Sequence, residues 1–336
     1  MNNSRVLIVL ISFVLVTACN DSDMDRDILS PSISEAFPAD QSTGIALDAT
    51  ISVVFDEELD PSSLKNVITL ASSNGVVIGK TEYDSETFTI RFIPFENLEY
   101  YTVYRVNISN TIRDVYQNKI GGESLLFMTL PETEPARYEV TFSNTWSQKT
   151  HPKDFPANAH FSGLIGMTHT IDTVLFREGR LASIGIKEMA ETGSKTTLIS
   201  EIEQMITADS AQYILSSDST SMYPVDVVLE FDIELSHPKV SIVSMIAPSP
   251  DWFIAVEGVE LYEDGKWLSN KTVTVKSYDS GTDSGLTFTS VNEATNPFVP
   301  IAKINEAPLA TGGIVPPLGT MKFKRIEKLE LENEID

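Results

Sequence analysis

Phe88, Ile90 and Phe92 alternate with Thr89 and Arg91, and Tyr104, Val106 and Ile108 alternate with Arg105 and Asn107. A side-chain period of two belongs to a strand with one buried and one wet face. The period returns at Tyr138, Val140 and Phe142, and runs longest over Val227, Leu229, Phe231, Ile233 and Leu235, set against Asp226, Glu230, Asp232 and Glu234. Val273 and Val275 among threonines, the stretch GLTFTSV from Gly285, and Met321 with Phe323 predict further strands. One segment carries the helical period: from Lys195 to Ile206, with Ser194 as N-cap, Leu198, Ile199, Ile202, Met205 and Ile206 share one stripe. Such a helix packs across an end or a face of a sheet. Asp60 before Pro61 predicts one helical turn over DPSSLK. The fold class expected is all-β: two β-sandwich domains, the second larger, with one or two short helices.

The pattern breaks in three places. Pro131 and Pro135 bracket charged residues, so 132–136 reads as a semi-rigid linker between domains at 31–131 and 137–326. The apolar run Val6 to Val16 follows Arg5 and at eleven residues is too short for a membrane span of about twenty, but it suits the core of a signal peptide over 1–18. Val16-Thr17-Ala18-Cys19 resembles the lipobox of bacterial lipoproteins, which implies that Cys19 is lipidated and anchors the chain to a membrane. Residues 19–30 are polar, acidic and non-periodic, a flexible tether, and 327–336 is a charged tail that frays. Asn20, where enteric-type sorting would use an aspartate for inner-membrane retention, leans toward the outer membrane of a bacterial cell envelope, facing the periplasm or the surface.

Charge narrows the partners. Of 336 residues, 48 are Asp or Glu against 24 Lys or Arg, a formal net charge of -24 with no basic stripe, so nucleic acid is an unsuitable partner. Cys19 is the one cysteine, so no internal disulfide can form and stability must come from packing or a metal.

FPADQSTGIALDATISVVFDEELDPSS, FTIRFIPFENLEYYTVYRV and IRDVYQNKIGG together resemble the bacterial Ig-like domains of surface-layer and adhesin proteins. The resemblance implies a sandwich of the seven-strand type, used as a stalk. Within it, Asp56, Glu57, Glu58 and Asp60 read as a solvated loop, since nothing in the pattern directs them to one point.

The stretch SYDSGTDSG places Asp279 and Asp283 on a short glycine-containing connection with no Lys or Arg inside it. Two such carboxylates repel unless a positive charge sits between them, and a hard cation bound by oxygens would supply it. The spacing is not that of an EF-hand, so a third acidic ligand must come from elsewhere. PSPDWF offers Asp251, projecting from a turn that Trp252 and Phe253 can anchor. The alternative is a hydrogen-bonded turn whose aspartates cap backbone N–H groups and hold nothing.

SMIAPSPDWFIAVEGVELYEDGKWL and SYDSGTDSGLTF, with NTWSQKTHPKDFPANAHFSGLIGMTH and ASIGIKEMAETGS, are similar to the spondin N-terminal domain of animal matrix proteins over about Arg137 to Ile326. The resemblance implies an antiparallel sandwich akin to calcium/lipid-binding modules and one calcium ion held by Asp251, Asp279 and Asp283. The animal domains carry disulfides and this chain cannot, which implies looser loops and weaker calcium affinity.

Other constellations read as structural. His151, His160 and His169 recur every nine residues, but without paired i, i+4 spacing they read as ordinary hydrogen-bonded histidines. Glu188 and Glu191 fall on one helical turn and so cannot flank a sugar ring. No nucleophile elbow, phosphate-binding glycine loop or cysteine nucleophile is present, and catalytic residues are not expected. The expected function is a non-enzymatic, lipid-anchored binding or adhesion module for an extracytoplasmic glycan or protein. The alternatives are a metal-dependent envelope hydrolase and a purely structural spacer.

Overall fold

The computed structural model describes residues 27–327. Cys19, the signal peptide, most of the tether and nearly all of the charged tail lie outside the described residues. The chain divides into two compact units, 1–129 and 130–336. Among the described residues no helix is long and apolar enough to cross a membrane.

Among the described residues the first unit is a sandwich of nine strands, more than the seven implied by its resemblance. One sheet orders Ile33–Phe37, Ile51–Phe55, Thr89–Pro94 and Gly79–Asp84; the other orders Ser42–Ile45, Glu123–Thr129, Val103–Ile108, Ile68–Ser72 and Gly75–Val77. All pairs are antiparallel except Ser42–Ile45 with Glu123–Thr129. The inward residues of the alternating strands, Ile90, Phe92, Tyr104, Val106 and Ile108, fill the core with Val53 and Phe127. Asp60 caps the 3-10 turn Pro61–Ser63 by accepting from the Ser62 N–H at 2.9 Å, as the Asp-Pro pair predicts.

The second unit opposes two antiparallel sheets. The outer sheet orders Val227–Ile233, Ala136–Asn144, Gly319–Ile326 and Asn270–Thr274. The larger one orders Ala211–Ser216, Ile165–His169, Lys239–Ala247, Trp252–Glu260, Lys276–Asp279 and Ala302–Lys303, with His160–Phe161 paired beside Lys239–Ala247. Between the sheets Tyr138, Val140, Phe142 and Phe323 meet Ile242, Ile246, Ile254 and Val256. The far face of the larger sheet is also covered: Val243, Met245, Phe253 and Ala255 pack under Ile186, Met189, Leu198 and Ile202 from two helices. Having both faces dry, Lys239–Ala247 is buried at every position after the first.

The two helices span Ile184–Thr192 and Thr196–Thr207. Ser183 caps the first by accepting from the Ile186 N–H, and Gly193 ends it in the left-handed region at φ 72°. The second starts one residue later than expected and has Lys195, with no side-chain cap, at its N-cap position. Ser194 turns away, its N–H donating to Thr192 Oγ1, because its neighbours belong to the tight turn that joins the helices.

Glu132, between the two prolines at 131 and 135, is fixed to the second unit. It is buried, accepts from both terminal nitrogens of Arg325 and from the Trp267 N–H. Substitution Glu132→Ala leaves the Arg325 charge and that N–H without their acceptor, and should lower stability by about 1–2 kcal/mol in chemical denaturation. An unchanged midpoint would show that water replaces the carboxylate at no cost.

Candidate metal centre

Asp251 ends the four-residue connection between Lys239–Ala247 and Trp252–Glu260, the two central strands of the larger sheet. The two residues after it take opposite faces: Trp252 enters the inter-sheet core, and Phe253 the helix-covered layer, stacked on Tyr278 with ring centroids 5.4 Å apart. This anchoring fixes the turn. Trp252 is paired in register with Asp279, the last residue of the adjacent strand Lys276–Asp279, so strand pairing brings Asp251 to the loop that follows.

That loop wraps the Asp251 carboxylate. Its Oδ2 accepts from Ser280 Oγ at 2.9 Å, from the Thr282 N–H at 2.7 Å and from the Asp283 N–H at 3.1 Å, with Thr282 Oγ1 at 3.3 Å. The backbone is tied as well, Ser280 N–H donating to the Asp251 carbonyl at 3.1 Å. Asp251 is 0% exposed, and its Oδ1 has no hydrogen-bond partner. Burial pushes its carboxyl above the usual carboxylate range, the four donors only partly opposing the shift.

Asp279 is half-buried. Oδ1 accepts from the Gly281 N–H at 2.8 Å and Oδ2 from the Trp252 indole N–H at 3.1 Å. Burial first, then repulsion from Asp251, raises its pKa to about 6, with a smaller contribution from Asp283. No cation is among the main influences on either group. Asp283 is buried and gathers the following segment, Oδ1 accepting from the Gly285 N–H at 2.7 Å and Oδ2 from the Glu293 N–H at 2.9 Å.

The aspartates therefore do cap backbone N–H groups, as a purely hydrogen-bonded turn requires. That reading leaves Asp251 Oδ1 unexplained, since a buried acceptor without a partner costs about 1–3 kcal/mol. Among the described residues, the acidic trio whose ligand atoms all lie within 4.8 Å of one another is a different one, Asp27, Glu57 and Asp114 in the first unit. Asp251, Asp279 and Asp283 are spaced more widely than that. Their donor set is all oxygen, with Ser280 and Thr282 hydroxyls interleaved, and so fits a hard cation.

The trio in the first unit was not legible, its members lying far apart in the chain. Asp114 is buried and both its oxygens accept from Asn118, while burial, then repulsion from Asp114 and Asp27, raises the Glu57 carboxyl. The sequence pattern alone makes Glu57 one of four solvated carboxylates; the fold separates it from Asp56, which accepts from Ser32, and from Asp60 at its cap.

GLTFTSV is not a strand. Ser290 Oγ accepts from the Leu286 and Thr287 N–H groups and curls the chain, and Phe288 drops between Trp146 and Trp252 with centroids 5.5 Å from each. The Phe that looked like a strand residue pins the loop instead.

At Gly281 the backbone turns at φ +74°, and a Cβ there would lie 2.1 Å from the Val299 carbonyl oxygen. Gly281→Ala should cost about 1–2 kcal/mol from the left-handed conformation alone, with the clash added. A thermal midpoint equal to that of the parent would mean the 280–301 loop moves freely away from the site.

The histidines do not converge. His151 contacts Thr150 Oγ1 and the Pro316 carbonyl, His160 the Asn158 carbonyl, and His169 the Thr170 carbonyl and Ser241 Oγ. Burial lowers the pKa of His151 and His169, as neutral rings filling internal positions require. Glu191 accepts from Lys187 Nζ at 2.6 Å and Glu188 from Thr197 Oγ1, so the two carboxylates are engaged separately.

A sequence model described as Spondin_N matches residues 136–310, and one described as Bacterial Ig-like domain matches residues 27–129. Human Spondin-2 is 33% identical over 192 residues, 56% of this chain and 57% of that protein. Rat Spondin-1 is 35% identical over 170 residues, 48% of this chain and 21% of that protein. The chain thus spans about half the length of Spondin-2 and a fifth of Spondin-1.

Proposed function

The chain belongs to the Spondin_N family through residues 136–310, and from that premise we propose that its second unit is a non-enzymatic binding module whose end loops are organised by one calcium ion held by Asp251, Asp279 and Asp283. The observation that carries this reading is Asp251 Oδ1, an acceptor in a fully buried carboxylate with no partner. A divalent cation would supply the positive charge that Asp251 and Asp279 otherwise lack, lowering both carboxyls back into the ionised range. Ser280, Thr282 and the Gly281 and Asp283 N–H groups orient the carboxylates beforehand.

Drawing the loop inward would fix the segment that Asp283 gathers, including Leu286, which is 77% exposed. A cleft of about 300 Å³ lies beside Asp279, lined by Trp252, Leu286, Val299, Lys303 and Glu306. It is the face on which an extracytoplasmic glycan or protein would dock. The first unit serves as a stalk, and Cys19 tethers the whole to the outer membrane of a bacterial envelope. A binding role is favoured over hydrolysis because Asp251 and Asp283 are buried, so the one unpartnered carboxylate oxygen, Asp251 Oδ1, is closed off from a substrate in the cleft.

Calorimetric titration of the purified protein with calcium tests the assignment. One site is expected in the second unit, lost in Asp279→Asn and kept in Asp114→Asn. Retention of all binding in Asp279→Asn, with loss in Asp114→Asn, would transfer the metal to the first unit.

A further inference from the structure

The chain between residues 75 and 84 forms an open edge along the first unit. Gly75–Val77 is outermost in the five-stranded sheet and Gly79–Asp84 is outermost in the four-stranded one, with Ile78 alone between them. One extended stretch therefore closes the side of both sheets, and among the described residues no strand pairs beyond it. Its two halves differ. The second is guarded by Lys80 and Glu82, paired at 2.7 Å, and charged side chains on an edge discourage pairing with another strand. The first half is apolar: Val76, Ile78 and the adjacent Phe95 are 68%, 67% and 65% exposed. They border a groove of about 490 Å³ whose rim carries Glu96 and Glu99.

We propose that this half-edge captures an extended segment of a partner protein bearing alternating aliphatic and basic residues. The free strand edge calls for an extended backbone, which adds hydrogen bonds along it. Val76, in the middle of the short strand, and Ile78, just past its end, are both exposed and offer apolar surface to aliphatic side chains. Glu96 and Glu99 take the basic ones, Glu99 being held in place by Asn74 Nδ2 at 2.7 Å. A second copy of this chain is disfavoured by the same charges, since each molecule carries a formal -24 and would set its glutamates against those of its partner. The guard at Lys80 limits the captured segment to a few residues.

The test uses the full protein and a fluorescent hexapeptide of sequence Lys-Val-Thr-Val-Lys-Val. Saturable anisotropy is expected, with amide shifts confined to the neighbourhood of residues 75–78. Val76→Lys, a change at an exposed site, should weaken binding at least tenfold, and so should replacing both peptide lysines by glutamate. The proposal is overturned if the peptide does not saturate at millimolar concentration, if Val76→Lys leaves binding intact, or if the acidic peptide binds equally well. Sedimentation showing self-association that Val76→Lys abolishes would also overturn it, by making a second copy the occupant.

Discussion

Calcium added to the metal-free protein should raise the melting temperature of the second unit by about 5–10 °C, and Asp251→Asn should abolish the rise. A ligand at a hundred times its dissociation constant adds about 2.7 kcal/mol, and for a domain of this size each kcal/mol moves the midpoint by about 2–4 °C. Asp251 is the side chain on which this depends most, because it is 0% exposed and its Oδ1 faces no donor. The asparagine keeps the shape and one acceptor but removes the buried charge. Two opposite effects follow. In chelator Asp251→Asn should be at least as stable as the parent, since the desolvation that raises the Asp251 carboxyl is gone. In calcium the order should reverse. Equal thermal shifts in parent and variant would remove Asp251 from the site.

The second large effect is a reversal in how stability depends on pH. Asp279 has its pKa raised from 3.8 to about 6 in the folded protein, first by burial and then by Asp251. A raised folded pKa means the native state holds its proton more tightly than the unfolded chain does. The resulting stability is fully present below the unfolded value and is lost as the pH rises through the folded one. The whole shift corresponds to about 3 kcal/mol, of which about 2 kcal/mol falls between about pH 4.5 and about pH 7. Asp251, also raised, acts in the same direction. In chelator the second unit should therefore grow more stable on acidification over this window. With calcium bound the carboxylates must be ionised, so stability should instead fall as protons compete with the metal. Thermal midpoints taken across this range, with chelator and with calcium, should give slopes of opposite sign. Parallel slopes would mean that calcium does not engage Asp279.

The parts of the fold that were legible in the sequence are those with one wet face. Ala136–Asn144 and Val227–Ile233 alternate because their outer sides meet water, and both are strands, the second ending at Ile233 so that Leu235 falls outside it. The central strands Lys239–Ala247 and Trp252–Glu260 do not alternate, because helices cover the face that would otherwise be polar; their residues had only their resemblance to a family to speak for them. A second helix, Ile184–Thr192, is short and read as no more than a turn, yet Ile186 and Met189 help roof the sheet. GLTFTSV shows the limit of local pattern, since Phe288 is pulled by Trp146 and Trp252 rather than by a neighbouring strand. For the site, the spacing of Asp279 and Asp283 and the turn at Asp251 were visible in the residues. The lone oxygen of Asp251 was not, because it depends on which donors the loop happens to present. The trio Asp27, Glu57 and Asp114 had no local signal, its members being brought near one another only by folding.

On the calcium reading, one divalent ion draws Asp251, Asp279 and Asp283 to a common point. Anomalous diffraction from crystals grown with calcium tests it most directly. A single strong peak is expected in the second unit, within about 2.3–2.6 Å of Asp251 Oδ1 and of an oxygen from each of Asp279 and Asp283. A calcium peak found at Asp27, Glu57 and Asp114 alone, with a water molecule bonded to Asp251 Oδ1, would contradict it.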